Sequence, residues 1–238
     1  MKLQYMGDRR DFYKYDLLLH LATSTKLPNK ITVIPMLTPD VADSGEGRLR
    51  SYGAGRRDRG VHSFVQSLVL GDPAGFQQVT DFFAQRNVPI KFTSQLYLER
   101  GNREAYFAAI DAKDLDDSIV FFDPDSGFET WSRSRRDARY LRYEELDAIW
   151  RRSSNTSIMV MYQHMPRKNH KAAIPEMLAR AGERTSISRA DFVDMGDLGF
   201  ITAAHLPGAA QSLTSVLLDF ASRRNIGVHS GLMGQATA

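Results

Sequence analysis

Residues 118–127, SIVFFDPDSG, pass from uninterrupted apolar sequence into acids and turn formers within one step. The run 119–122 has no polar alternation, so both of its faces must be buried, as in the interior strands of a parallel sheet. Pro124, Asp125, Ser126 and Gly127 are turn chemistry and end the strand. Asp123 and Asp125 then stand at the carboxyl end of a central strand. Open α/β sheets bind their ligands at such ends.

Elements on either side follow from periodicity. Toward the amino terminus, 103–115 predicts a helix, 90–98 a strand, and 73–86 and 61–70 two helices. Residues 30–37, KITVIPML, predict a buried strand, with Pro35 arguing for a sheet edge or a bulge. Residues 8–23 predict a helix. Asp8 stands at the N-cap and Asp11 where a capping-box acid belongs, and Phe12, Tyr15, Leu18, Leu19 and Ala22 recur at helical spacing. Toward the carboxyl terminus, 128–142 predicts a loop, 143–152 a helix and 157–165 a strand. Residues 171–181 predict a helix that stops at Gly182. A hairpin of 189–193 with 200–205 and a last helix over 209–224 follow. Strands alternating with helices imply an α/β fold, Rossmann-like, with a mostly parallel sheet, helices on both faces and a C-terminal antiparallel hairpin. The expected organisation is a single domain over 1–225 and a flexible tail over 226–238.

Composition narrows the class. Across 238 residues, 42% are hydrophobic and 10% aromatic, enough for a sizeable core. No apolar run is long enough to span a bilayer, and the first residues, MKLQYMGDRRDFYKYD, lack the apolar stretch of a secretory signal. The absence of cysteine excludes disulfides and thiolate metal sites and fits a cytoplasmic protein. The net charge is only +3, but arginines cluster: Arg48, Arg50, Arg56, Arg57 and Arg59, then Arg133, Arg135, Arg136, Arg139 and Arg142. Arginine rather than lysine suits bidentate phosphate recognition, so nucleic acid or a nucleotide is the expected partner; a solvated charged surface is the plain alternative.

Four segments carry candidate chemistry. Asp123 and Asp125 can hold a divalent ion such as Mg²⁺ or Mn²⁺, or Asp123 can accept from a substrate amine, or both can merely shape a turn. Asp11, Lys14 and Tyr15 lie on one helix face at i, i+3 and i+4, which reads either as a capping acid with a local ion pair or as Lys14 and Tyr15 set against the end of the sheet. After the first strand, Thr38, Asp40, Gly45 and Gly47 occupy the place of a ligand-binding loop, although the pattern is neither GxGxxG nor a P-loop. After the strand over 157–165, His164 is the acid/base candidate, and Arg167 and Lys168 suit phosphate. The remaining histidines show no metal-ligand spacing.

Taken together, GDxxDxxKY (7–15), LTPD (37–40), FFDPDxG (121–127) and YQHxPR (162–167) resemble an uncharacterised bacterial protein family, across the whole sheet region. More distantly, the chain resembles the bacterial 23S rRNA adenine-N6 methyltransferases, which carry GNxxDxxKH near the N-terminus and DPPY after the fourth strand. Gly7, Asp8, Asp11, Lys14 and Tyr15 match the first motif, and Asp123 and Pro124 half of the second. Asp125 replaces the second proline and Ser126 the aromatic, while Phe128 is out of register. The resemblance implies a methyltransferase-related enzyme that uses S-adenosylmethionine, although the family's glycine-rich cofactor loop has no clean counterpart in 38–48. Strand-end acids flanked by arginine-rich loops complete the leading reading: an enzyme acting on nucleic acid or a nucleotide, with the cofactor at Thr38, Asp40, Gly45 and Gly47, catalysis by Asp123, Asp125, Lys14 and His164, and phosphate held by Tyr15, Arg133, Arg135, Arg136, Arg167 and Lys168. Two other readings stay open: a metal-dependent nuclease or phosphoesterase with Asp123, Asp125, Asp40 and Asp8 as ligands, and a non-catalytic module that binds nucleic acid or protein.

Overall fold

The computed structural model of the chain describes residues 1–40, 58–69, 71–129, 137–165 and 170–232. After a short 3-10 turn, Leu3–Tyr5, the elements in chain order are α1 (Arg9–Ala22), β1 (Ile31–Pro35), α2 (Arg59–Ser67), α3 (Gly75–Ala84), β2 (Ile90–Phe92), α4 (Arg103–Ala108), α5 (Ala112–Leu115), β3 (Ile119–Asp123), β4 (Gly127–Phe128), β5 (Tyr140–Leu141), α6 (Tyr143–Arg152), β6 (Ile158–His164), α7 (His170–Arg184), β7 (Arg189–Asp194), β8 (Leu198–Ala204), α8 (Pro207–Arg224) and β9 (Gly227–Leu232). A seven-stranded sheet has the order β2-β1-β3-β6-β8-β7-β9. Strands β2, β1, β3 and β6 are mutually parallel, whereas the β6–β8, β8–β7 and β7–β9 pairings are antiparallel.

Alternate residues of the central strands feed two cores, as the period of two requires. Val33, Phe121, Val160 and Phe200 pack with residues of α1, α2, α3 and α8. Ile34, Phe122, Met161 and Ile201 pack with residues of α4, α6 and α7 on the other face. Burial on both faces explains why β3 reads as a continuous apolar run.

The chain steps from β1 outward to β2 in one direction and through β3 and β6 in the other. The order therefore reverses between β1 and β3, and a crevice at such a reversal, beyond the strands' carboxyl ends, is the favoured ligand position. Pro35 pairs with Asp123 in register, so the turns after β1 and β3 lie side by side.

Several sequence expectations are corrected. Pro35 marks neither an edge nor a bulge: it ends an interior strand, where losing one N–H costs least. Thr93 N still donates to Val33 O at 2.9 Å, but residues 94–98 leave the sheet, held by Leu98 N donating to Leu37 O at 2.7 Å and by Asn102 bonding Tyr97 and Glu99. Asp111 caps a separate α5 and divides the helix expected over 103–115. The loop expected over 128–142 includes β4 and β5, which pair as a small second sheet. Helix α7 continues through Gly182 because Leu178 and Ala181 are buried on its inner face, and that packing outweighs the ~1 kcal/mol propensity cost of glycine. Glycine-rich residues 227–232, expected in the tail, form β9 because the edge of β7 supplies backbone partners.

Candidate functional site

The GDxxDxxKY segment explains itself residue by residue. Gly7 has φ +89, and a Cβ there would lie 2.9 Å from the Cβ of Leu68, so the turn into α1 needs glycine. The Asp8 side chain accepts from Arg10 N and Asp11 N and caps the helix. Asp11 accepts at 2.8 Å from the N–H of Gly7, one residue beyond the partner of a standard capping box. Lys14, one turn further, donates to Asp11 Oδ1 at 3.1 Å and to Asp123 Oδ2 at 3.0 Å, with Asp123 Oδ1 2.9 Å away. Its ammonium also lies 5.0 Å from the centre of the Tyr162 ring, a cation–π distance.

Lys14, Asp11, Asp8 and Asp123 are all buried. Burial alone would lower the Lys14 pKa, but the Asp123 and Asp11 carboxylates outweigh it and hold it well above the ordinary lysine value. Burial raises Asp11, with Lys14 acting against it and Asp123 reinforcing it. Burial, reinforced by the Asp11 charge, pushes Asp8 up to about 7, and Asp8 Oδ2 has no hydrogen-bond partner. Because its folded pKa exceeds the unfolded value of 3.8, Asp8 contributes stability below about pH 4 that is lost as pH rises through about 7. Asp8→Asn keeps a good N-cap and removes this titration. Melting temperatures from pH 4 to 8 are expected to fall less steeply in Asp8→Asn than in the wild type; parallel curves would refute the assignment.

The other expected site residues have separate partners. Asp125 lies 3.7 Å from Lys2 Nζ. Asp40 is exposed and accepts from Gln4 N at 3.2 Å. Thr38 donates through its N–H to Met1 O at 2.9 Å and through its hydroxyl at 3.4 Å. The Met1 nitrogen donates to Met36 O and Asp123 O at 2.9 and 3.1 Å. The Met1–Gln4 segment thus lies across the carboxyl ends of β1 and β3, a placement with no signature in its composition. His164 Nε2 lies 3.2 Å from Arg10 Nη2. Tyr15, expected to face phosphate, instead packs its ring edge-on to Phe83 and against Phe64 in the core; burial raises its phenol pKa well above the usual value. Gly45, Gly47, Arg133, Arg135, Arg136, Arg167 and Lys168 lie outside the described residues.

No family model, curated protein or solved structure matches the chain.

Among the described residues, no three His, Asp or Glu side chains are grouped to hold a metal ion. Asp123, Asp125, Asp40 and Asp8 answer to Lys14, Lys2, Gln4 and the α1 backbone respectively. A cavity of about 700 Å³ opens at the opposite end of the sheet, lined in part by Asn29, Asn87, Asp117 and Asn155, which precede β1, β2, β3 and β6. That end lies away from the Lys14–Asp123 pair. No helix among the described residues is long and apolar enough to cross a membrane.

Tyr162 and Gln163 fall within YQHxPR and Arg10 within GDxxDxxKY, but the sequence reading assigns none of the three a role. Gln163 Oε1 accepts from Phe128 N at 2.9 Å and its Nε2 donates to His164 O at 2.7 Å, joining β6 to the turn after β3. A glutamine beside a strand-end histidine was the available signal, but nothing local names its partner.

Proposed function

We propose that the chain is a Rossmann-like, methyltransferase-related enzyme acting on nucleic acid or a nucleotide, centred on Lys14 and Asp123. The supporting observation is their ion pair. Two segments that separately resemble the rRNA methyltransferases, 109 positions apart, meet in one contact at the reversal of strand order. The late antiparallel β7–β8 hairpin is consistent with the way class I methyltransferase sheets end. In this reading the Asp123 carboxylate orients the acceptor amine or hydroxyl, and Lys14 fixes the direction and charge of that carboxylate.

S-adenosylmethionine, when bound, supplies an activated methyl group. The groups at the carboxyl ends of β1 and β3 suit it chemically. The carbonyls of Met36 and Asp123 already receive the Met1 nitrogen, as they would an amino-acid ammonium, and Asp40 and Thr38 offer a carboxylate and a hydroxyl. All four are engaged by Met1–Gln4, so the cofactor requires that segment to move. Lys2→Glu sets like charges beside Asp125, and Gln4→Pro removes the donor to Asp40. The combined variant is expected to bind S-adenosylmethionine about tenfold more tightly in calorimetry, because apparent affinity scales with the open fraction. Absence of binding in both proteins would sink the cofactor half of the proposal. The four separately partnered acids provide no observation favouring the metal-dependent nuclease reading.

A further inference from the structure

Arg10 stands apart from the other cations around the site. It is half-buried near the start of α1, and no ion pair with a carboxylate engages it among the described residues. Arg9 beside it is paired with Asp197 at 2.5 Å, and Lys14 is paired with Asp11 and Asp123. The Arg10 side chain meets an imidazole instead, through Nη2 and His164 Nε2. A guanidinium has no lone pair, so the histidine must accept and carry its proton on Nδ1. An imidazole acceptor fixes the direction of the guanidinium while leaving its charge unanswered.

The placement carries an energetic cost that needs a reason. Arg10 and Lys14 are four residues apart on α1, and like charges at that spacing destabilise a helix. Acids neutralise Lys14; Arg10 retains its charge beside the strand end that holds Tyr162 and His164. The helix terminus is not itself the site, because Asp8 already occupies the N–H groups of Arg10 and Asp11.

We infer that Arg10 anchors a phosphate group of the substrate and that His164 is its positioning residue. This rests on the proposed function and deepens it by naming the residue that holds the substrate's phosphate, whether that phosphate belongs to a nucleotide or to a nucleic-acid backbone. Arg10 Nε is buried without a hydrogen-bond partner among the described residues, so phosphate oxygens would be met by the Nη groups of a guanidinium held from one side, and its pre-orientation lowers the entropy lost on binding.

The test uses the full chain titrated with inorganic phosphate, adenosine monophosphate and a single-stranded oligonucleotide. Arg10→Gln is expected to weaken binding about ten- to hundredfold, the scale of a charge-assisted hydrogen bond. Its melting temperature should remain close to wild type. His164→Leu should weaken binding as well, whereas His164→Gln, which keeps an acceptor, should restore most of it. For the oligonucleotide, Arg10→Gln should lower the slope of log affinity against log salt by about one. Tight adenosine monophosphate binding would identify a nucleotide substrate; a preference for the oligonucleotide would identify the backbone. The inference is overturned if wild type binds none of the three probes or Arg10→Gln binds them unchanged. Phosphate binding lost in Arg10→Gln, in a wild type that does not bind S-adenosylmethionine, would uphold this inference and remove the cofactor half of the function.

Discussion

Lys14→Met is expected to lower the unfolding free energy by about 3–5 kcal/mol, the usual consequence of removing one partner from a buried ion pair. The methionine fills most of the volume, so the loss is electrostatic. It leaves Asp11 and Asp123 buried without the ammonium that both touch. Unpaired carboxylates out of water favour their protonated forms, so their folded pKa values rise above the unfolded ones. Stability from such groups is present at low pH and lost as pH rises through the folded pKa. The deficit of Lys14→Met should therefore be small near pH 4 and large near pH 8, read by urea denaturation across that range. Adding Asp123→Asn removes one of the stranded charges and should recover part of the loss at pH 8. A deficit independent of pH would mean that Lys14 contributes by packing alone, and its place at the centre of the site would fall.

The pair also separates what is local in the sequence from what is not. The apolar run 119–122 could only be a strand buried twice, and the acids after it could only emerge at its carboxyl end. Asp8 before a periodic helix was equally legible as an N-cap. Those are local signals. Which side chain Asp123 faces is a long-range fact, set by how α1 crosses the sheet; the segment 7–15 allows Lys14 to be set against the sheet end but names no partner for it. Tyr15 illustrates the same limit. Helical periodicity placed it on the face of Phe12 and Leu18, a core face, yet its neighbour Lys14 suggested a polar role.

The carboxyl end of the sheet is also crowded in a way that composition hides. Met1–Gln4 reads as an ordinary start, but its backbone satisfies groups on Thr38, Asp40, Met36 and Asp123. A crevice at a reversal of strand order exposes main-chain carbonyls and strand-end acids, and buried polar groups of that kind require partners. Here the chain supplies them from its own segment. Any ligand taking up the strand-end groups must replace those bonds, which makes binding an exchange rather than a simple filling of space.

Gly127→Val is expected to cost about 4 kcal/mol, combining backbone strain of roughly 1–3 kcal/mol with overpacking of similar size. Gly127 has φ +112, a conformation that a β-branched residue resists strongly. Its Cβ would meet the amide group of Gln163 at 2.4–2.7 Å. That amide cannot swing away without breaking its bonds to Phe128 N and His164 O. The glycine of FFDPDxG and the glutamine of YQHxPR are therefore one device, which sets the turn bearing Asp123 against the end of β6. Gln163→Ala separates the two costs. In the Gly127→Ala background it should restore the part due to the collision and leave the part due to φ, so the two substitutions together cost less than their sum. Strict additivity in thermal melts would place the whole penalty in the backbone and remove Gln163 from the support of the turn.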